Sequence, residues 1–111
     1  QMLQVFEIRP DFDLNLMQPG QSLTALTARV LTTIEPVFRE VNPDLVLVQG
    51  DTTTTFAGAL AAFYQRIPVG HIEAGLRTFD LWHPFPEEMN RVFAGRLSAL
   101  HFAATAAAQQ N

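Results

Sequence analysis

Acidic side chains stand where two apolar runs of the sequence end. Asp51 follows the apolar run 45–48, and Glu73 closes a second apolar run at 67–72. A further acidic pair, Glu87-Glu88, comes one loop later. Carboxylates that converge on one pocket can remove a proton from a substrate and return one, which makes these residues candidates for general acid–base chemistry.

Three short apolar stretches predict the strands that must position these acids. Within a strand predicted around 44–49, residues 45–48 are apolar without alternation, so we expect both faces to be covered, as in a parallel sheet. The stretch 67–72 predicts a second buried strand, and 100–103 predicts a third. His101 in the third stretch is interpreted as a core histidine rather than a ligand.

Helical patterns separate these strands. Apolar residues recur every three or four positions from Ser22 to Val41, which indicates an amphipathic helix, and Pro36 inside it should kink or break it. A helix rich in small and aromatic residues is predicted over 52–66. Another begins at Pro86, because proline suits the first helical position. Its inward face is expected to be formed by Met89, Val92, Phe93 and Leu97.

Strands that alternate with helices of this length give βαβ units and a parallel sheet, so the predicted fold class is α/β, doubly wound. In such sheets, ligands bind beyond the carboxyl ends of the strands. Asp51 and Glu73 follow two strands separated by one helical crossover, and we expect these strands to be neighbours about 4.8 Å apart. The two acids would then line one rim of a pocket.

Each acid also has a structural interpretation. Asp51 precedes four threonines and could cap the following helix by accepting hydrogen bonds from its first amides. Glu73 could form a local ion pair with Arg77. Glu87 and Glu88 fall in the first turn of a helix, where negative charge is favourable. The spacing of these residues therefore predicts an acid-lined pocket and leaves its chemistry open.

Other ligand classes find weaker support in the sequence. The threonine run 52–55 could cradle a phosphate at a helix N-terminus, but neither the Walker-type nor the dinucleotide-binding glycine motif is present. Arg77 and Arg91 could hold phosphate or anchor the acids, and anchoring is favoured. No metal is expected, because no known zinc spacing is formed by His71, Glu73, His83 and Glu87.

The composition allows one domain and excludes several classes of protein. With 111 residues, 48% of them hydrophobic, the chain can bury a real core. No run approaches the roughly 20 apolar residues of a membrane span, and the absence of cysteine excludes disulfides and thiolate metal sites. A net charge of -4 argues against a nucleic-acid surface. We expect a soluble, cytoplasmic protein.

Both ends of the chain have the pattern of helices. Gln1 to Phe6 resembles the last turns of one helix, and Thr105 to Asn111 resembles the first turn of another. The stretch 11–16 alternates as a strand or edge segment does. We therefore expect the chain to be a segment of a longer protein.

Two long motifs resemble those of a known family. The segment VLVQGDTTTTFAGALAAFYQRIPVGHIEAGLRT, followed by PFPEEMNR, resembles the non-hydrolysing UDP-N-acetylglucosamine 2-epimerases. The similarity continues through PDFDLNLMQPGQSLT upstream and LHFAAT downstream, so it covers essentially the whole chain. The hydrolysing epimerases have similar acidic turns, but the four-threonine run and HIEAGLRT resemble the non-hydrolysing branch.

The resemblance implies an isomerase that interconverts UDP-N-acetylglucosamine and UDP-N-acetylmannosamine by eliminating and re-adding UDP, in bacterial surface-polysaccharide synthesis. It implies two Rossmann-like domains arranged as in GT-B glycosyltransferases, a cleft between them, a homodimer and no nicotinamide cofactor. Residues 1–111 would be a partial N-terminal Rossmann-like domain. The rest of that domain and the C-terminal domain would lie outside the chain, so the segment alone should be inactive.

The resemblance also assigns site residues. The catalytic acids of the family match Asp51 of GDTTTT, Glu73 of HIEAGLRT and Glu87 of PFPEE, and the first two also match substrate-contacting positions. The expected partners are a UDP-sugar and a second copy of the protein, with no nucleic acid and no membrane. Two other classes stay open: a GT-B glycosyltransferase domain, which would not need three converging acids, and a non-catalytic binding unit.

Overall fold

Three helices alternate with three strands in the structure, a computed structural model that describes residues 19–74 and 77–103. In chain order, the elements are α1 (Leu23–Val41), β1 (Val46–Gln49), α2 (Thr53–Tyr64), β2 (Val69–Ala74), α3 (Glu87–Leu97) and β3 (Leu100–Ala103). The interpretations of 1–6, 11–16 and 105–111 lie outside the described residues. Within the described ranges, none of the three helices meets the length and hydropathy that a membrane span needs.

The three strands form one parallel sheet in the order β1-β2-β3. In its register, residues 46–49 pair with 69–72, and 70–72 pair with 100–102. Consecutive strands are connected through a helix, as parallel neighbours require. The predicted α/β fold, a Rossmann-like parallel sheet with flanking helices, is confirmed, and all three predicted strands overlap the observed ones.

Helix α1 is defined by its two ends. The Ser22 hydroxyl accepts a hydrogen bond from an amide of the first turn at 3.0 Å, which satisfies one of the free N–H groups there. Asn42 follows the last turn in the left-handed conformation, with φ of 49°, which asparagine adopts more readily than most residues. The helix continues through Pro36 without a break, because Val30 and Phe38 on either side of it are both buried in the core.

The core lies between the helices and one face of the sheet. Val46 and Val48 of β1 pack on it from the sheet side. The alanines of α2 have small side chains, and this helix packs against both α1 and α3. The buried residues of the cluster are Phe38, Ala59, Ala61, Ala62, Ile67 and Val69.

The other face of the sheet is open in the described part of the chain. Leu47 is 57% exposed, so the prediction that β1 is covered on both faces is wrong for these residues. Leu100 and Phe102 of β3 are exposed as well. His101, expected in the core, is also exposed, because the helices pack mainly on β1 and β2 and β3 lies at the edge.

The face of helix α3 that was predicted to point inward is partly buried. Met89 and Val92 are half-buried. Phe93, expected to point inward, is 42% exposed, and its ring packs against that of Phe56 at 5.2 Å between centroids. Leu97 packs on the core as predicted. Asn90 can be buried because its side-chain amide has a partner: Nδ2 donates to the Thr53 hydroxyl at 3.3 Å. The buried residues of the helix are Glu88, Asn90 and Ala94.

Two threonines fasten the start of α2 to the end of β1. Thr52 is the N-cap, and its Oγ1 accepts from the Thr55 N–H at 3.1 Å. The Thr55 hydroxyl donates to the Gln49 carbonyl at 2.7 Å. Both hydroxyls therefore close the turn that contains Asp51. The alternative in which Asp51 caps the helix is wrong.

We predict that Thr52→Ala lowers the free energy of unfolding of the chain by about 1 kcal/mol, because it removes this capping bond. Thr54→Ala is the matched control. Thr54 is exposed in the same run and alanine favours a helix, so stability should stay within about 0.5 kcal/mol. Urea denaturation followed by circular dichroism measures both variants. Equal losses of stability would contradict the assignment of Thr52 as the cap.

Candidate active site

The turn after β1 is fixed through its backbone. Gly50 has φ of 81°, a conformation that glycine adopts without steric cost, and its N–H donates to the Ile72 carbonyl at 3.0 Å. The Gly50 carbonyl accepts from Nε2 of His71, which is 1% exposed, at 2.7 Å. Because a carbonyl only accepts, the ring carries a proton on Nε2. These bonds from β2 fix the point at which the chain turns toward Asp51.

Asp51 lies just beyond β1 and is joined to helix α3. Its Oδ2 accepts a hydrogen bond from Nη2 of Arg91, and the two groups form an ion pair. The Asp51 side chain is 31% exposed and that of Arg91 is 11% exposed, so the pair is partly shielded from solvent and salt. The prediction that Arg91 anchors an acid is confirmed, and the Asp51 carboxylate keeps access to solvent.

Glu88 is the acid that the structure buries. Its side chain has 0% exposure, and donors surround both carboxylate oxygens. Oε1 accepts from the Thr78 N–H at 3.1 Å and from Nη1 of Arg91 at 3.0 Å. Oε2 accepts from Nε of Arg77 at 2.6 Å and from the Phe79 N–H at 3.1 Å. The interpretation of Glu88 as an acid that only complements the helix dipole is wrong.

These hydrogen bonds determine the charge of Glu88. Burial disfavours the carboxylate and acts to raise its pKa, but the bonds from Arg77, Thr78 and Phe79 outweigh burial and hold the pKa below its ordinary value. Glu88 is therefore ionised at neutral pH. Its charge lies between two guanidinium groups, those of Arg77 and Arg91.

By their position in the sequence alone, Glu87 and Glu88 have the same interpretation, because two adjacent acids of one type carry no signal that separates them. Only the resemblance to a family distinguishes Glu87. Glu87 and Glu88 lie four and three residues before Arg91, and both spacings place two side chains on one side of a helix. Arg77 was also the possible partner of Glu73, and in the structure it pairs with Glu88. The side chain of Glu73 lies outside what the structure describes.

The loop that precedes α3, residues 77–86, folds back on itself. The Asp80 carboxylate accepts from the Trp82 N–H at 3.1 Å and bonds Nδ1 of His83 at 2.9 Å, and these bonds hold the pKa of Asp80 below its ordinary value. The rings of Trp82 and Phe85 stack at 5.7 Å between centroids and are exposed. Since Glu88 of α3 accepts hydrogen bonds from the N–H groups of Thr78 and Phe79, the loop is also bonded to α3.

Glu73 occupies an irregular position of the sheet. It directly follows Ile72, which pairs with Gln49 at the end of β1, so its backbone lies beside the turn that leads to Asp51. The register of β2 with β3 shifts between Ile72 and Ala74, which leaves Glu73 in a bulge. Bulges re-aim side chains and are frequent next to active sites.

Glu87 is the first residue of α3 and is half-buried. It lies four residues before Arg91, so both side chains project from one side of the helix, and Arg91 reaches Asp51. Unlike that of Glu88, its side chain makes no hydrogen bond or ion pair with another described residue. In the ranges 19–74 and 77–103, no group of three histidine, aspartate or glutamate side chains is arranged to hold a metal ion.

Comparison with known sequences places this architecture in a family. The family model described as UDP-N-acetylglucosamine 2-epimerase matches residues 1–111. The chain belongs to the UDP-N-acetylglucosamine 2-epimerase family. A protein of that name from Escherichia coli (strain K12) is 60% identical over 111 residues, which are 100% of this chain and 30% of that protein.

Solved structures of the epimerase family superpose closely on the chain. The UDP-GlcNAc 2-epimerase from Neisseria meningitidis, solved bound to UDP-GlcNAc, gives a TM-score of 0.93 at 55% identity and covers 98% of this chain and 30% of its own. The one from Methanocaldococcus jannaschii gives a TM-score of 0.90 at 40% identity and covers 99% and 30%. The chain therefore spans about 30% of the length of the epimerases that it matches.

We predict that Glu88→Gln lowers the free energy of unfolding of the chain by about 3 kcal/mol, because it leaves buried arginine charge and N–H donors without a full set of acceptors. Glu87→Gln is the matched control, since Glu87 is the adjacent residue of the helix and lacks these bonds. Its effect should stay within about 0.5 kcal/mol. Urea titration measures both, and equal costs would contradict the burial of a paired charge at Glu88.

The lowered pKa of Glu88 predicts a loss of stability in acid. A carboxylate whose pKa is lower in the folded than in the unfolded chain stabilises the fold above the unfolded value, 4.5 for glutamate, and the contribution is lost as pH falls through the folded pKa. The free energy of unfolding should therefore decline as pH falls below about 4.5. Urea titrations at several pH values should show a smaller decline in Glu88→Gln. An unchanged decline would show that Glu88 is not responsible.

Proposed function

We propose that this chain supplies the catalytic acids of an enzyme that interconverts UDP-N-acetylglucosamine and UDP-N-acetylmannosamine by inverting C2 of the sugar. The observation on which this rests is the Asp51 carboxylate, held by Arg91 beyond the carboxyl end of a parallel sheet, in a chain that the family matches over its full length. The relative from Neisseria meningitidis is solved bound to UDP-GlcNAc, which supports a UDP-sugar as the substrate.

The reaction needs acid–base groups on both faces of the sugar. C2 has no adjacent carbonyl, so a carboxylate cannot simply abstract its proton. When the C1–O bond to UDP breaks, its electron pair leaves with UDP, and positive charge at C1 makes the C2 proton acidic. A carboxylate takes that proton as the C1–C2 double bond forms, which gives 2-acetamidoglucal and UDP. Return of a proton to the opposite face, with UDP re-adding at C1, inverts C2.

Three acids match these needs. We assign Asp51, Glu73 and Glu87 as the catalytic residues, with Asp51 and Glu73 also contacting the substrate. Two of them serve as acid and base on the two faces of C2, and the third stabilises positive charge at C1 or resets protonation. The exposure of Asp51, the bulge at Glu73 and the absence of any described partner for Glu87 support this assignment.

The wider organisation that we propose follows the family. Residues 1–111 are a partial N-terminal Rossmann-like domain of a GT-B-like enzyme, whose second domain supplies the UDP-binding residues across a cleft. The whole enzyme is a cytoplasmic homodimer that supplies surface-polysaccharide synthesis. Because this chain spans 30% of its Escherichia coli relative, it is not expected to turn over substrate by itself.

The test is a chimera in which these 111 residues replace the matching segment of the Escherichia coli relative. We expect the chimera to epimerise UDP-N-acetylglucosamine and, in heavy water, to place deuterium at C2 of the product, because the carboxylates exchange protons with solvent. Asp51→Asn, Glu73→Gln and Glu87→Gln should each lower kcat at least about 100-fold, the usual loss when a general acid or base is removed.

Glu40→Gln is the control for these variants. Glu40 is exposed near the end of α1, which leads into the amino end of β1, the sheet edge opposite Asp51, so kcat should stay unchanged. Normal exchange and epimerisation in all three acid variants would refute the site assignment. Transfer of the sugar to an acceptor without change at C2 would indicate a glycosyltransferase. A folded chimera that binds UDP and does neither would indicate a non-catalytic binding unit.

A further inference from the structure

The buried carboxylate of Glu88 connects two parts of the proposed site. On one side it bonds Arg91, whose other terminal nitrogen bonds Asp51. On the other side it bonds the N–H groups of Thr78 and Phe79, at the start of the loop that leads to α3. The side chain of Glu88 is itself fully buried and has no contact with solvent. Glu88 therefore has no direct route to a substrate.

We propose that Glu88 is a positioning residue of the enzyme, which holds the Arg91 guanidinium in the orientation that meets Asp51 and so controls how this acid faces the sugar. The inference rests on the proposed epimerase function and adds a residue that the family motifs do not assign. It concerns the geometry of the acid, because Glu88 acts only through Arg91.

The geometry of Arg91 supports this role. Its Nη1 donates to Oε1 of Glu88 at 3.0 Å, while its Nη2 donates to Asp51. A guanidinium is planar and its N–H groups form a rigid fork, so fixing one terminal nitrogen restricts the direction of the other. Glu88 lies three residues before Arg91 on the same helix, and its second oxygen is held by Arg77 at 2.6 Å. Glu88, which is held by Arg77 and the loop, therefore restrains Arg91 in addition to the bond between Arg91 and Asp51.

The charges of this cluster alternate in sign. They run from Asp51 through Arg91 and Glu88 to Arg77. Glu88 therefore shares the positive charge of Arg91 with Asp51. Without Glu88, both arms of Arg91 could turn to Asp51 and form the bidentate pair that arginine favours with carboxylates. A carboxylate paired in this way is a poorer acceptor for a substrate proton.

Within residues 19–74 and 77–103, few other charged groups of the helices and strands adjoin this edge of the sheet. Helix α2 has no acidic or basic residue apart from the tyrosine at its end, β2 contributes His71 and Glu73, and α3 contributes Glu87 beside the cluster. If Glu88 only held the loop to α3, it would not need Arg91, because Arg77 and two backbone amides already give it three hydrogen bonds. The link to Asp51 is the part that a purely structural role does not require.

The test uses the chimera with the Escherichia coli relative. Glu88→Gln should lower kcat about 100-fold, the loss that misplacement of a catalytic group by about 1 Å produces, while KM stays within about 3-fold. Glu88→Asp keeps the charge on a shorter side chain and should recover part of kcat. A folded Glu88→Gln chimera with unchanged kcat would overturn the proposal. If Glu88→Gln does not fold, Arg91→Lys serves instead, since lysine cannot bridge two acids with a rigid fork, and unchanged kcat there would overturn it equally.

A double-variant cycle separates positioning from stability. If Glu88 acts through Arg91, then adding Glu88→Gln to Arg91→Met should change kcat by less than about 2-fold, because the link is already absent. A residue that acts by itself would lower kcat by the same factor in both backgrounds, and that result would reject the proposal.

Arginine side-chain NMR gives a readout that is independent of turnover. The two Nη groups of Arg91 should give well-separated signals while one bonds Glu88 and the other bonds Asp51. In Glu88→Gln the two signals should move toward each other, because both groups can then turn to Asp51. Distinct signals in an inactive chimera would count against the proposed function and leave the positioning intact. Averaged signals in the unsubstituted protein would overturn the positioning role even in an active enzyme.

Discussion

A carboxylate without access to water costs several kcal/mol unless its charge and lone pairs are satisfied, and Glu88 meets that condition with donors from two arginines and two backbone amides. Those donors belong to the loop and to α3, so the loop cannot leave the helix without unpairing a buried charge. Arg91 extends the same network to Asp51 on the sheet. The end of β1, the loop and α3 are therefore held together by one network of charged groups.

The parallel sheet supplies the second fixed point. The turn after β1, which leads directly to Asp51, is held by the His71 ring and the Ile72 carbonyl of β2 and by the Thr55 hydroxyl. Catalytic carboxylates need positions fixed to a fraction of an ångström, and side chains at the ends of packed elements achieve this better than free loops.

Periodicity located the helices and strands because the spacing of apolar residues is a local property, and α1, α2 and β3 follow the predicted ranges closely. It failed where the answer depended on a distant element. The apolar character of Leu47 shows that its face favours contact, but it does not say which element provides it. His101 is exposed because the described helices pack mainly on β1 and β2 rather than on β3.

By itself, the sequence determined the alternation of strands and helices, the resemblance to one enzyme family and the positions of three candidate acids at strand and helix ends. Tertiary structure decided which of two adjacent glutamates is buried and which arginines Asp51 and Glu88 bond. The reason is distance along the chain: Glu88 bonds an arginine 11 residues away, and Asp51 bonds one 40 residues away. Local pattern has no information about such pairs, because they exist only after the sheet and α3 have packed together.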